Sequence, residues 1–85
     1  MMNRTKRIKN ILENNLLDYV ANIIDNSSLH KGHNNFNGDG ETHILIELKK
    51  RKNININRLE IHKKINSLLK NEFNTGLHSL QIKII

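Results

Sequence analysis

The chain has 85 residues, a net charge of +6 and no cysteine, which suits one small domain spanning 1–85. A disulfide framework, a thiolate metal site and a cysteine nucleophile of its own are excluded. No apolar run nears the length of about eighteen residues that a membrane span needs, and no secretory-length apolar stretch follows the basic start, so the expected compartment is the cytoplasm.

The charge is uneven, at +4 over residues 1–12, −5 over 13–48 and +7 over 49–85. Ile8, Ile11, Leu12 and Leu16 recur at the spacing of one helical face, with Lys6, Arg7, Lys9, Asn10, Glu13 and Asn14 on the other. Asn3 or Thr5 can cap this helix, and its basic face is read as solvated. Tyr19 to Asp25, YVANIID, is a run of strand formers with Tyr19, Ala21 and Ile23 on one side.

A long loop follows, DNSSLHKGHNNFNGDGETH from Asp25 to His43, with three of the five histidines. Reversing the chain takes only about two to five residues, so the extra length points to function. Thr42 to Leu48 alternates as a strand, with Thr42, Ile44, Ile46 and Leu48 on the core face, and Lys49-Lys50-Arg51-Lys52 ends it. Asn57 and Glu60 form a capping box ahead of a helical stripe of Ile61, Ile65, Leu68, Leu69 and Phe73. Gly76 supplies the stop. Leu77 to Ile85 then alternates as a third strand, with His78, Leu80, Ile82 and Ile84 facing one way.

The expected fold is therefore α+β, a two-layer domain of order α-β-β-α-β with both helices on one face of a three-stranded mixed sheet. The second strand, second helix and third strand form a crossover unit, which makes those two strands parallel. Both then begin at the edge where the long loop projects. His78 converges there with His30 and His33.

Separated motifs sharpen this reading. Asp25-Asn26-Ser27-Ser28-Leu29-His30, Gly40-Glu41-Thr42-His43, His62-Lys63 and Gly76-Leu77-His78-Ser79-Leu80 resemble the D-E-S-x-x-H, G-E-S/T-H, H-R and G-V-H-A-L segments of the BolA-like family. Their order agrees with the family over nearly the whole chain, as does the interval from His62 to His78. The sequence departs from the family at its F-x-G turn, where Asn53 and Asn55 stand, and at its R-H-R motif, where Ile61 replaces the first arginine. That region is associated with nucleic-acid binding in the family.

The resemblance implies a class II KH-like fold and a cytosolic adaptor in iron-sulfur cluster trafficking or iron/redox regulation, with stress response and transcription regulation as associated roles. It implies a monothiol glutaredoxin as partner and a bridging [2Fe-2S] cluster, for which the glutaredoxin and glutathione bring thiolates while this chain brings histidine. His78 matches the family's main ligand and His30 its more variable loop ligand, with His33 as the alternative to His30. The chain is expected as a monomer alone or a heterodimer with that partner. Imidazole in place of thiolate raises a cluster's potential and must be neutral to ligate.

The other histidines read differently. His43 is expected to be an exposed surface residue, and His62 to be structural or to contact a partner. The H-x-x-H spacing of His30 and His33 does not make a zinc site.

A second function class is a nucleic-acid-binding module using Lys49, Lys50, Arg51, Lys52, Arg58, Lys63 and Lys64 on phosphates. It lacks the KH-type G-x-x-G clamp and has few aromatics for stacking. An enzyme is disfavoured, because no nucleophile-base pair, phosphate-cradling loop or paired carboxylates are present.

Overall fold

A computed structural model describes residues 3–27 and 41–85 of the chain. Within them the order is α1 (Arg4–Asn15), β1 (Tyr19–Asp25), β2 (His43–Lys50), α2 (Arg58–Leu68), α3 (Lys70–Asn74) and β3 (Ser79–Ile84). The sheet order is β1-β2-β3, antiparallel between β1 and β2 and parallel between β2 and β3. This is the mixed three-stranded sheet that the alternation of the strands and the helical crossover demand.

The core follows the periodicities. Ile8, Leu12 and Leu16 from the α1 region bury against Tyr19 and Ala21 of β1 and Ile44, Ile46 and Leu48 of β2, while Ile65 and Leu69 cover them from the second helical segment. Apolar burial of this kind is worth roughly 1.5–3 kcal/mol per large side chain and is the main term that selects the register. Each β2 residue of that set has its partner on the same side, Ile46 opposite Ile23 on β1 and Ile82 on β3.

The caps fall where the sequence places them. The Asn3 side chain accepts from the Lys6 backbone N–H at 3.0 Å, and that of Asn57 accepts from the Glu60 N–H at 3.1 Å. Gly76 stands at φ 126, a region that side chains other than glycine's rarely tolerate.

Three expectations need correction. The continuous stripe from Ile61 to Phe73 is broken at Leu69, whose φ of −99 and ψ of 11 separate α2 from α3. No proline or glycine marks the break. Glu72 of α3 ion-pairs with Arg4 and Arg7 of α1, a long-range contact that a local period cannot reveal.

The polar face of α1 is also not merely solvated. Arg7 is half-buried on Glu72, and Lys9 pairs with Glu13 while donating to the Ala21 carbonyl at 2.6 Å. Finally, His78 precedes β3 instead of being its second residue, and it is exposed although Leu80, Ile82 and Ile84 of the same parity are half-buried. Strand parity does not extend to a residue outside the strand.

Candidate functional site

The sheet edge at which β2 and β3 begin is tied together by backbone. The His78 and Ser79 N–H groups both donate to the Thr42 carbonyl, at 2.8 and 3.1 Å, and the Asn26 N–H donates to the His43 carbonyl at 2.8 Å. Ser27, only 1% exposed, adds a side-chain pin: its hydroxyl accepts from the Thr42 N–H at 2.8 Å and the His43 N–H at 3.3 Å. The Ser27 N–H in turn donates to the Asp25 carboxylate at 2.9 Å, an Asx turn that closes β1. Asp25 and Ser27 of the D-N-S segment thus have a local structural purpose.

Two imidazoles stand on this frame. The rings of His43 and His78 approach edge to face, with centroids 6.0 Å apart and planes inclined by 74°. His43 Nδ1 lies 2.9 Å from Thr42 Oγ1, a contact that orients the ring. Sequence alone put His43 among exposed surface residues, whereas it is half-buried and beside His78. The parallel register, which sets His43 opposite Ser79, was the available signal.

A buried charge cluster braces the same edge from the core side. Arg4, 8% exposed, donates from Nε to Glu72 at 3.0 Å, from Nη1 to the Glu41 carbonyl at 3.0 Å and from Nη2 to the Thr75 carbonyl at 2.8 Å. The Glu41 carboxylate answers by accepting from the Arg4 and Thr5 N–H groups at 3.2 and 3.0 Å, capping the positive end of α1. Arg7 donates to both oxygens of Glu72 at 2.9 Å. The hydrogen bond from Arg7, more than the charge of Arg4, holds the Glu72 carboxyl below the ordinary carboxylate range against the opposing effect of burial.

The chain matches the family described as BolA-like protein over residues 12–85. It belongs to that family.

Among proteins of known sequence, this BolA-like chain is 36% identical over 62 residues to an uncharacterized Sinorhizobium protein in the cobS 5'region, covering 72% of this chain and 67% of that one. It is 33% identical over 82 residues to the chloroplastic protein BOLA1 of Arabidopsis thaliana, covering 94% of this chain but only 51% of the longer plant protein. Among solved structures, BolA1 from Arabidopsis thaliana superposes with a TM-score of 0.78 at 31% identity, over 99% of this chain and 92% of the other. The BolA domain of SufE1 from the same plant gives 0.77 at the same identity and coverage.

Of the expected site residues in this BolA-like chain, His78 lies at the braced edge, while His30 and His33 fall in 28–40, outside the described residues. Among the described residues, no three histidine, aspartate or glutamate side chains gather as a metal cluster would require. With no cysteine in the chain, this edge offers imidazole nitrogen and nothing softer. Among the described residues, that donor set fits a metal group completed by further ligands from elsewhere, and does not fit one held by these residues alone.

The basic residues occupy the opposite end. Eight residues of β2 at roughly 3.3 Å each put Lys50 about 23 Å from His43. Arg51 donates to the Tyr19 carbonyl at 3.2 Å, Lys52 pairs with Asp18 at 3.1 Å, and Lys50 reaches the Ile54 carbonyl at 3.4 Å. Lys49, Arg58, Lys63 and Lys64 are exposed. His62 is half-buried on α2, beside Arg58 and Leu59 in a shallow surface depression.

Sequence reasoning missed Ser27, Glu41, Arg4 and Glu72 as members of the edge. Their partners lie at separations from 15 residues for Ser27 with Thr42 to 71 for Arg4 with Thr75, beyond any local period. Among the described residues, no helix is long and apolar enough to cross a membrane.

Proposed function

We propose that this BolA-like chain is an adaptor that contributes histidine to a [2Fe-2S] cluster shared with a monothiol glutaredoxin and glutathione. The observation that carries the reading is His78 itself: an exposed imidazole at a sheet edge whose backbone is fixed by the Thr42 carbonyl, in a chain with no thiol. His30, or His33 in its place, is the loop ligand under this reading.

The cluster supplies redox or iron-sensing chemistry when bound. The chain's part is to hold a neutral imidazole in place and leave every thiolate to its partner. Under this reading the role is adaptor and not enzyme.

The test is to combine the chain with a monothiol glutaredoxin, glutathione, iron and sulfide, and to record visible absorbance and circular dichroism. The mixed complex is expected to show a spectrum distinct from that of the glutaredoxin alone, and His78→Ala to abolish the difference. An unchanged spectrum with His78→Ala overturns the assignment.

A second reading, nucleic-acid binding, is favoured by the exposure of Lys49, Arg58, Lys63 and Lys64 at the end away from the histidines. Arg51 and Lys52 are engaged with β1 and its approach, which reduces the set available for phosphates. Duplex binding that weakens steeply with salt supports this reading, and its absence eliminates it.

A further inference from the structure

We infer that the outer edge of β3 pairs with β3 of a second copy of this chain, antiparallel and centred on Ile82. The inference goes beyond the cluster reading and does not rest on it.

The direction of each backbone group along β3 follows from its bonds to β2. The Ser79 N–H donates to the Thr42 carbonyl at 3.1 Å and the Ile85 N–H to the Leu48 carbonyl at 2.8 Å, so in the parallel register Ser79, Gln81, Lys83 and Ile85 bond toward β2. The alternate residues Leu80, Ile82 and Ile84 then turn both N–H and C=O outward. Among the described residues, no further hydrogen bond reaches these outward groups.

The opposite edge of the sheet is closed. On β1, Glu13 accepts from the Ala21 N–H at 3.4 Å, Lys9 donates to the Ala21 carbonyl at 2.6 Å and Arg51 donates to the Tyr19 carbonyl at 3.2 Å. Charged side chains of this kind, a proline, a bulge or an inward-pointing charge are the usual means of blunting an edge. The strand SLQIKI has no proline, its register is unbroken, and Lys83 stands opposite Glu47 on the face away from the core.

The side chains point the same way. Ile44, Ile46 and Leu48 in the central strand are at most 2% exposed, whereas Leu80, Ile82 and Ile84 on the same face of β3 are half-buried. A further strand with an apolar row completes their cover, and β3 itself carries such a row.

Self-pairing also selects one register. With Ile82 opposite Ile82, Leu80 faces Ile84 of the second copy, every outward N–H and C=O is used, and the apolar rows meet on the core face. On the other face Lys83 falls opposite Gln81. Centring on Lys83 would set two lysines directly opposite each other, which is destabilising. Centring on Gln81 would set Ile84 against His78, whose N–H is already given to Thr42.

Isologous pairing of this kind closes on two copies. One strand edge is small beside the roughly 1,600 Å² of a standard interface, and each copy carries +6, so the dimer is weak and strengthens as salt screens the repulsion.

The test is sedimentation equilibrium of the full chain over a range of protein and salt concentrations, with amide exchange followed by NMR in parallel. A monomer-dimer equilibrium favoured by salt is expected. The Leu80, Ile82 and Ile84 amides should slow as the dimer fills, while those of Gln81 and Lys83, already bonded to β2, change least. Gln81→Lys, at an exposed position, sets a second lysine opposite Lys83 and should raise the dissociation constant by about 2- to 30-fold through two symmetric pairs. Gln81→Glu should lower it by a similar factor. Ile82→Pro removes an outward N–H without touching the β2 ladder and should leave a monomer.

A chain that stays monomeric at every attainable concentration overturns the inference, as does a dimer indifferent to both Gln81 variants or one that protects amides elsewhere. Protection of the same amides by an extended peptide, without self-association, assigns the edge to another protein and also overturns it. Because Gln81 is exposed, its variants remain valid tests even if Ile82→Pro perturbs folding.

Discussion

The guanidinium of Arg4 and the carboxylate of Glu72 meet at 3.0 Å, with only 9% and 5% of their side chains exposed. The same guanidinium reaches the carbonyls of Glu41 and Thr75, two residues before His43 and three before His78. One side chain near the start of α1 therefore braces both segments that carry the candidate histidines. Removing one partner of a buried pair leaves the other charge uncompensated, which typically costs about 3–5 kcal/mol. Glu72→Ala should fall at the lower end of that range, because Arg4 keeps its two carbonyl acceptors. Urea denaturation measures it, and a loss below about 1 kcal/mol would show that the pair is no more than a surface salt bridge.

Acid should weaken the fold through the same carboxylate. The Glu72 carboxyl is held below its ordinary range by the hydrogen bond from Arg7 and then by Arg4, and that of Glu13 by the hydrogen bond from Lys9. A group whose folded pKa is depressed adds stability that is complete above its unfolded pKa, about 4.3 for glutamate, and is lost as pH falls through the folded value. The urea midpoint of the parent should thus drop as pH falls below about 4.3. Glu72→Gln, less stable at neutral pH, should converge on the parent as the pH falls. A gap that stays constant from neutral to acid pH would remove Glu72 from the account.

The two halves of this edge were not equally visible in the sequence. Alternation in Thr42 to Leu48 and the crossover through Ile61 to Phe73 fixed the parallel pairing, and with it the convergence of His78 on the start of β2. Asn57 and Gly76 marked the caps because their chemistry is local. His43 escaped notice because parity sends it to the open face of the sheet, and only the register beside Ser79 brings His78 within reach of it. Arg4, Glu41 and Glu72 carry no local signature, since a charged residue on an amphipathic helix reads as solvated until its partner is known.

Gly76 serves two constraints at once. Its φ of 126 strains any residue with a Cβ, and an added Cβ would lie 3.2 Å from Arg4 Nη2 and 3.4 Å from Nη1. The guanidinium cannot easily give way, because Glu72, Glu41 and Thr75 all hold it. Gly76→Ala should therefore destabilise by about 1–3 kcal/mol from backbone strain, plus a contribution from the displaced arginine. In a double-mutant cycle with Arg4→Ala, the second contribution should disappear and leave a coupling of about 0.5 kcal/mol or more. Strict additivity would mean that the strain is confined to the backbone.

Ser27 offers the most direct test of how the histidine edge is held. Its buried hydroxyl accepts from the Thr42 N–H at 2.8 Å, and Thr42 in turn receives His78 and Ser79 on its carbonyl. Ser27→Ala removes that acceptor where water has no access, which costs about 1–3 kcal/mol for a buried donor left unsatisfied. The loss should concentrate locally. Hydrogen exchange at the Thr42, His78 and Ser79 amides should accelerate more than at Ile46 in the centre of β2, because opening the edge is a smaller event than global unfolding. Uniform acceleration across β2 and β3 would show that Ser27 stabilises the whole sheet and has no particular hold on the histidines.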